Sequence, residues 1–196
     1  MNKILILLFT LLLISCSEKE KKSDSKIVDK TIGFSMIVPG SFSKLDEESK
    51  KEQIQKGVKR LDKLHDSAFA LSDIKNTILF KSDDENLFVL NNQDYDVKTQ
   101  GDYNEAIKGI NDLSYQTQSM NFPNANIDSV TSKEMIDGVE FSKFILSTKI
   151  SETKTMHMVK YNKLFKDKDF TASVVFTNDE LGREVIKAFK DSKFKK

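Results

Sequence analysis

The chain has no tryptophan, one cysteine, two histidines, two prolines and seven glycines among its 196 residues. A lone cysteine, Cys16, excludes an intramolecular disulfide. The histidines, His65 and His157, lie far apart in the chain, and neither belongs to an HExxH or paired-histidine spacing. A zinc site needs three or four nitrogen or sulfur ligands, sometimes with a carboxylate, so no metal site is expected on them. Arginine occurs only at Arg60 and Arg183, although it is the residue favoured for bidentate contacts to phosphate and guanine. With 31 basic residues against 30 acidic ones and a net charge of +1, the overall balance gives no electrostatic case for nucleic acid or for an acidic membrane surface.

Motifs for catalysis are equally sparse. There is no GxSxG elbow and no phosphate-cradling GxGxxG or GxxxxGK[ST] loop. Ser-x-x-Lys spacings occur at Ser41/Lys44, Ser72/Lys75 and Ser151/Lys154, but no Lys-Thr-Gly block accompanies them. Asp94, Asp96 and Glu105 match positions 1, 3 and 12 of an EF-hand loop. Lys98 then stands where an oxygen ligand belongs and Thr99 where glycine makes the turn, which excludes the EF-hand. Asp83-Asp84-Glu85 and the Asp94/Asp96 pair read as solvated loops, with a looser carboxylate site as the alternative. No catalytic residue, cofactor or metal is expected.

What the chain does have is an apolar run, Ile4 to Ile14, behind the short positive segment Met1-Asn2-Lys3. At about 1.5 Å per residue this run is too short to span a bilayer core, which takes about 20 residues. It fits the h-region of a secretory signal peptide over residues 1–15. Without Lys3 the remaining chain is charge-balanced, and at this size it is one domain. Leu13-Ile14-Ser15-Cys16 resembles the lipobox of bacterial lipoproteins. That resemblance implies a diacylglyceryl group on the Cys16 thiol and signal-peptidase cleavage between Ser15 and Cys16. It also implies acylation of the new amino terminus. Two or more acyl chains hold a protein firmly at a membrane. Ser17, rather than aspartate, after the cysteine implies the outer membrane by the usual sorting rule. Glu18 and Glu20 resemble a short signal for export to the cell surface. Ser17 to Lys26 holds no apolar residue, so residues 16–26 are expected to be a lipidated cysteine and a solvated tether.

Residues 27–196 then read as a single α+β domain. Ile32, Phe34, Met36 and Val38 alternate up to the Pro39-Gly40 turn, with Ile27-Val28 as a short strand paired to them. Ser43-x-x-Asp46 resembles a capping box, and Ile54, Val58, Leu61 and Leu64 share one face of a helix over 44–64, near whose end His65 lies. Strands over 74–81 and 86–91 flank the turn Ser82-Asp83-Asp84-Glu85. A second helix after Asp102 turns Tyr103, Ala106, Ile107, Ile110, Leu113, Thr117 and Met120 inward and stops at Phe122-Pro123. Four strands follow, 127–136, 139–150, 154–165 and 169–177, joined first by the hairpin signal Asp137-Gly138. His157 falls inside the third of them. Thr177-x-x-Glu180 opens a last helix with Leu181, Val185, Ala188 and Phe189 inward, and the lysines at its end suit the helix dipole. The expected architecture is an antiparallel sheet flanked by helices.

Gly33-Phe34-Ser35-Met36-Ile37-Val38-Pro39 and the late block from Val139 through Phe176 with its terminal helix resemble the Mog1/PsbP-like fold, including DcrB-type lipoproteins. Phe42 stands after Pro39 where that pattern carries tryptophan. Members of the fold bind proteins, ions or ligands in unrelated ways, so the resemblance implies a fold and not an activity. The expected function is a non-enzymatic, lipid-anchored cell-envelope protein that binds another envelope protein or assembly, with no nucleic-acid partner. The alternative is a small-molecule or lipid carrier, with a pocket between sheet and helix lined by Phe141, Phe144, Met156 and Met158. A hydrolase comes third.

Overall fold

The computed structural model describes residues 23–62 and 76–195. Strands β1 (Ser25–Asp29) and β2 (Phe34–Val38) form an antiparallel hairpin in which Ile27 faces Met36. The two-residue period sends Phe34, Met36 and Val38 into the core and leaves Ile37 outside. Strand structure begins at Ser25, two residues ahead of the domain start expected at residue 27, and the Asp24 carboxylate accepts the Gly40 N–H at 2.9 Å.

Strand β3 (Ser43–Lys44) is a short pairing where the sequence suggested helix. Helix α1 (Glu47–Asp62) starts one turn later, because Asp46 rather than Ser43 caps it by accepting the Ser49 N–H at 2.8 Å. Lys50 of α1 is buried and ties the helix down, its ammonium donating to the Thr77 carbonyl at 3.0 Å and to Glu47. The side chains of Val58, Leu61 and Leu64, and His65 itself, lie outside the described residues, as do Cys16, Ser15 and the expected signal segment. Strands β4 (Thr77–Asp83) and β5 (Asn86–Asp94) make the expected hairpin. A single turn, α2 (Val97–Gln100), precedes α3 (Tyr103–Asn121), whose N-terminus is capped by Asp102.

The late block is the meander that its turns imply: β6 (Asn126–Ile136), β7 (Val139–Lys149), β8 (Thr155–Phe165) and β9 (Lys168–Phe176). Asp137 and Gly138 both take positive φ, 48° and 78°, as a two-residue turn between strands requires. The last helix, α4 (Asp179–Lys190), is capped by Asn178, which accepts the Glu180 and Leu181 N–H groups. Thr177, the expected cap, instead donates its hydroxyl to Glu85. The terminal strand β10 (Lys193–Phe194) had no sequence signal.

One expected sheet is therefore two. The larger runs β3-β4-β5-β9-β8-β7-β6, and the smaller runs β1-β2-β10, with antiparallel pairing throughout. Gly33 lets β10 close on the hairpin. Its φ is 67°, its carbonyl accepts the Lys195 N–H at 2.9 Å, and a Cβ there would stand 2.5 Å from the Lys195 carbonyl oxygen. The smaller sheet and α4 cover one face of the larger sheet, and α3 covers the other. The main core lies on the first face, where Phe34, Phe141, Tyr161, Phe170, Phe189 and Phe194 meet.

Helix α4 approaches β9 through Gly182, where a Cβ would fall 2.3 Å from the Phe176 ring. Gly182→Val is expected to force that ring aside and to destabilise the domain by about 1–3 kcal/mol, as overpacking does. A denaturant melt reads this directly. An unchanged midpoint would show that α4 does not sit this close.

Candidate functional site

The loops singled out for carboxylates are each satisfied locally. Asp83 accepts N–H groups from Glu85, at 2.9 Å, and from the Asn86 backbone and amide. Partial burial raises the Asp83 carboxyl, but these hydrogen bonds outweigh it and hold the group below its ordinary range. Asp84 pairs with Lys81, and Glu85 with Lys154 and Thr177. Asp94 pairs with Lys168, Asp96 caps α2, and Glu105 stands in the first turn of α3. Among the described residues no three His, Cys, Asp or Glu side chains gather to hold a metal ion.

His157 has partners that sequence reading missed, because three separate elements supply them. Its Nδ1 lies 2.9 Å from the Ser147 hydroxyl, its Nε2 lies 3.9 Å from Asp179, and its ring stacks on Phe176. These are the residue types of a hydrolytic triad, but the setting differs. Ser147 sits within regular β7 pairing rather than on the strained turn that presents a nucleophile. Asn178 already takes the first amide donors of α4, which would otherwise face an oxyanion. The cluster therefore fastens the start of α4 to β7 and β8.

The face under α3 departs furthest from expectation. Alternation along β7 sends Phe141 and Phe144 to opposite sides of the sheet: Phe141 enters the aromatic core, and Phe144 lies under α3 with Lys160 over its ring. Met156 and Met158 pair with Thr148 and Leu146 on the Phe144 side. The four residues expected to line a carrier pocket thus do not share one. Helix α3 is also rotated from the expected face. Ile107 and Asn111 are its buried residues, while Ile110 and Met120 point outward.

Beside Phe144 and Leu146, the seam beneath α3 carries buried polar groups. Asn111 Oδ1, Thr117 Oγ1 and Gln118 Oε1 are buried without a protein hydrogen-bond partner. Tyr103 donates to Asp169 at 2.8 Å, and Gln93 donates to the other carboxylate oxygen at 3.2 Å. Burial foremost, then the Asp169 charge, pushes the Tyr103 phenol well above its ordinary range. Lys160 is only 6% exposed and donates to Ser114 Oγ at 3.0 Å, with no carboxylate beside it among the described residues. Burial alone lowers its ammonium from 10.5 to about 8.

The sign of that shift fixes its effect on stability. Below pH 8 both the folded and unfolded chains carry Lys160 charged, and the folded state bears the full desolvation cost. Between about pH 8 and 10.5 the unfolded chain binds more protons, so stability rises with pH. Lys160→Met is expected to stabilise the domain at pH 7 by roughly 2–3 kcal/mol and to flatten the rise seen from pH 8 to 9.5. Thermal melts across that range test it. An unchanged pH slope would show that Lys160 is solvated.

No protein-family model matches the chain, and no curated sequence matches it. Among solved structures it is similar to cyanobacterial PsbP (CyanoP) from Synechocystis sp. PCC 6803, with a TM-score of 0.53 and 9% identity over 93% of this chain and 99% of that one. A crystal structure from Bacteroides thetaiotaomicron VPI-5482 aligns with a TM-score of 0.41 and 11% identity, over 87% of this chain and 48% of that one. At such identity the likeness to PsbP is one of fold, and the domain has the α+β, PsbP-like fold.

Proposed function

We propose that this chain is a non-enzymatic bacterial lipoprotein, anchored to the cell envelope through Cys16, whose domain binds another envelope protein. The outer membrane is the proposed site. The single observation that carries the binding role is strand β6. It ends the larger sheet, pairs only with β7 among the described residues, and runs for 11 residues. A strand of this length with one free edge is a template for pairing with another chain. Val130 and Met135 stand 57% and 61% exposed on its two sides, and Ile110 and Met120 of α3 add apolar surface on the helix-covered side. Against the carrier alternative, the main core is filled by aromatic rings, and Phe141 and Phe144 lie on opposite faces of the sheet. No helix among the described residues is long and apolar enough to cross a membrane.

Anchoring and binding have separate tests. Cells given labelled fatty acid should label the wild-type chain, and Cys16→Ser should abolish both the label and partition into a detergent phase. Retained label would overturn the lipoprotein reading. For binding, a photo-crosslinking amino acid replacing Val130 should give a discrete protein adduct in intact cells. The same group replacing the exposed Lys51 of α1 should not, and Met135→Arg should reduce the Val130 adduct at least threefold. No adduct at residue 130 would overturn the β6 interface.

A further inference from the structure

The outer face of the smaller sheet is open. Alternation along β1, β2 and β10 places Lys26, Val28, Ile37, Lys193 and the following Lys195 on that side. Val28 and Ile37 are 54% and 60% exposed, which leaves two β-branched side chains in water. No carboxylate of these strands joins them. Asp29 instead accepts from Thr31 and from Asn92 of β5. Lys193 touches Asp137 at 3.2 Å, whereas Lys26, Lys30 and Lys195 have no ion pair among the described residues. Beside this face runs an open groove of about 920 Å³, which adds Lys30, Lys166 and Lys168 to Lys26 and Lys195, against Asp29 and Asp167. Lys168 is held by Asp94. On the other border of the face Asp24, Glu184 and Asp191 stand beside Lys26, Ile37 and Lys193, so the cations gather on the Lys30, Lys166 and Lys195 side.

We infer that the outer face of the β1-β2-β10 sheet is a membrane-docking surface, with Val28 and Ile37 entering the interface and Lys26, Lys30 and Lys195 meeting anionic phospholipid headgroups. Exposed apolar side chains flanked by unpaired lysines suit a bilayer interface better than bulk water. A second argument is position. The strand that bears Lys26 and Val28 is the first described element, and its first residue, Ser25, follows Cys16 by only nine positions. Fully extended, those residues reach about 30 Å, so an anchor at Cys16 keeps this sheet close to the bilayer. The inference rests on the anchored reading for that position.

The test uses residues 16–196 with Cys16→Ser, which keeps every described residue and carries no lipid. Flotation is measured with vesicles of phosphatidylcholine alone and of phosphatidylcholine with 30% phosphatidylglycerol. The protein should float with the anionic vesicles at 50 mM NaCl, lose most binding at 500 mM as screening requires, and ignore the neutral ones. Lys26→Glu with Lys195→Glu should weaken binding at least tenfold. Val28→Ser with Ile37→Ser should weaken it severalfold while keeping the salt dependence. Lys51→Glu should leave it unchanged, and thermal melts should match throughout. Absence of flotation, equal binding to both vesicles, or indifference to the face variants would overturn the inference. So would an acidic protein cross-linked through Lys26 without vesicle binding. Because the probe chain has no lipid, these failures are distinct from a failure of Cys16 labelling, which would overturn the anchor.

Discussion

Phe141 is the residue on which the layers converge. Its ring meets Phe189 of α4 at 5.8 Å, Phe194 of β10 at 5.2 Å, and Tyr161, Phe165 and Phe170 from its own sheet. Phe34 of β2 joins the same cluster through Phe170 and Phe194. One group of rings therefore binds the larger sheet, the last helix and the smaller sheet together. Such pairs add about 0.5–1.5 kcal/mol each beyond the area they bury, so no tryptophan and no disulfide is needed to close the core.

Because most of the rings gather on one face of the sheet, the other face can mix polar groups with the buried Phe144 and Leu146. Asp169, Asn162 and Lys160 are buried on the strands beneath α3, where hydrogen bonds to Tyr103 and Ser114 help to hold the helix. The edge strand is fastened differently again. Burial works to raise the Glu134 carboxyl of β6, but hydrogen bonds from Lys143 and Lys190 outweigh it and hold the group ionised below its ordinary range. Lys190 comes from α4 and Lys143 from β7, so this carboxylate locks the edge strand to the core layer. Strand β6 can thus stay open along its outer edge without fraying.

The sequence makes some of this legible and hides the rest for identifiable reasons. The Asp137-Gly138 turn and the alternation of β7 to β9 are local signals, and the structure follows them to within a residue or two. Strand β10 is two residues long and has no period to read; only its partners Phe34 and Ser35, some 160 positions earlier, make it a strand. The rotation of α3 was equally hidden. Ile110 and Met120 fit an inward stripe by spacing, yet Asn111 is buried and Ser114 meets Lys160 instead. The same limit applies to Ser147, His157 and Asp179, which only the β7-β8 register and the position of α4 bring together. Capping differed by one residue at α4 and by three at α1, because Ser, Thr, Asp and Asn neighbours compete for amide donors.

The pairing of β2 with β10 also sets an order of events. Strand β2 is among the first segments of the domain to leave any machine that delivers the chain amino-terminus first, and β10 is among the last. Until β10 arrives, Phe34 lacks the Phe194 ring and Gly33 lacks its strand partner. The seven-stranded sheet can assemble from neighbouring hairpins, but the small sheet must wait for a contact spanning almost the whole domain. Long-range closure of this kind slows folding far more than it weakens the finished structure. The hairpin that opens the domain is thus its last part to be completed, and a chaperone that acts late would find its substrate there.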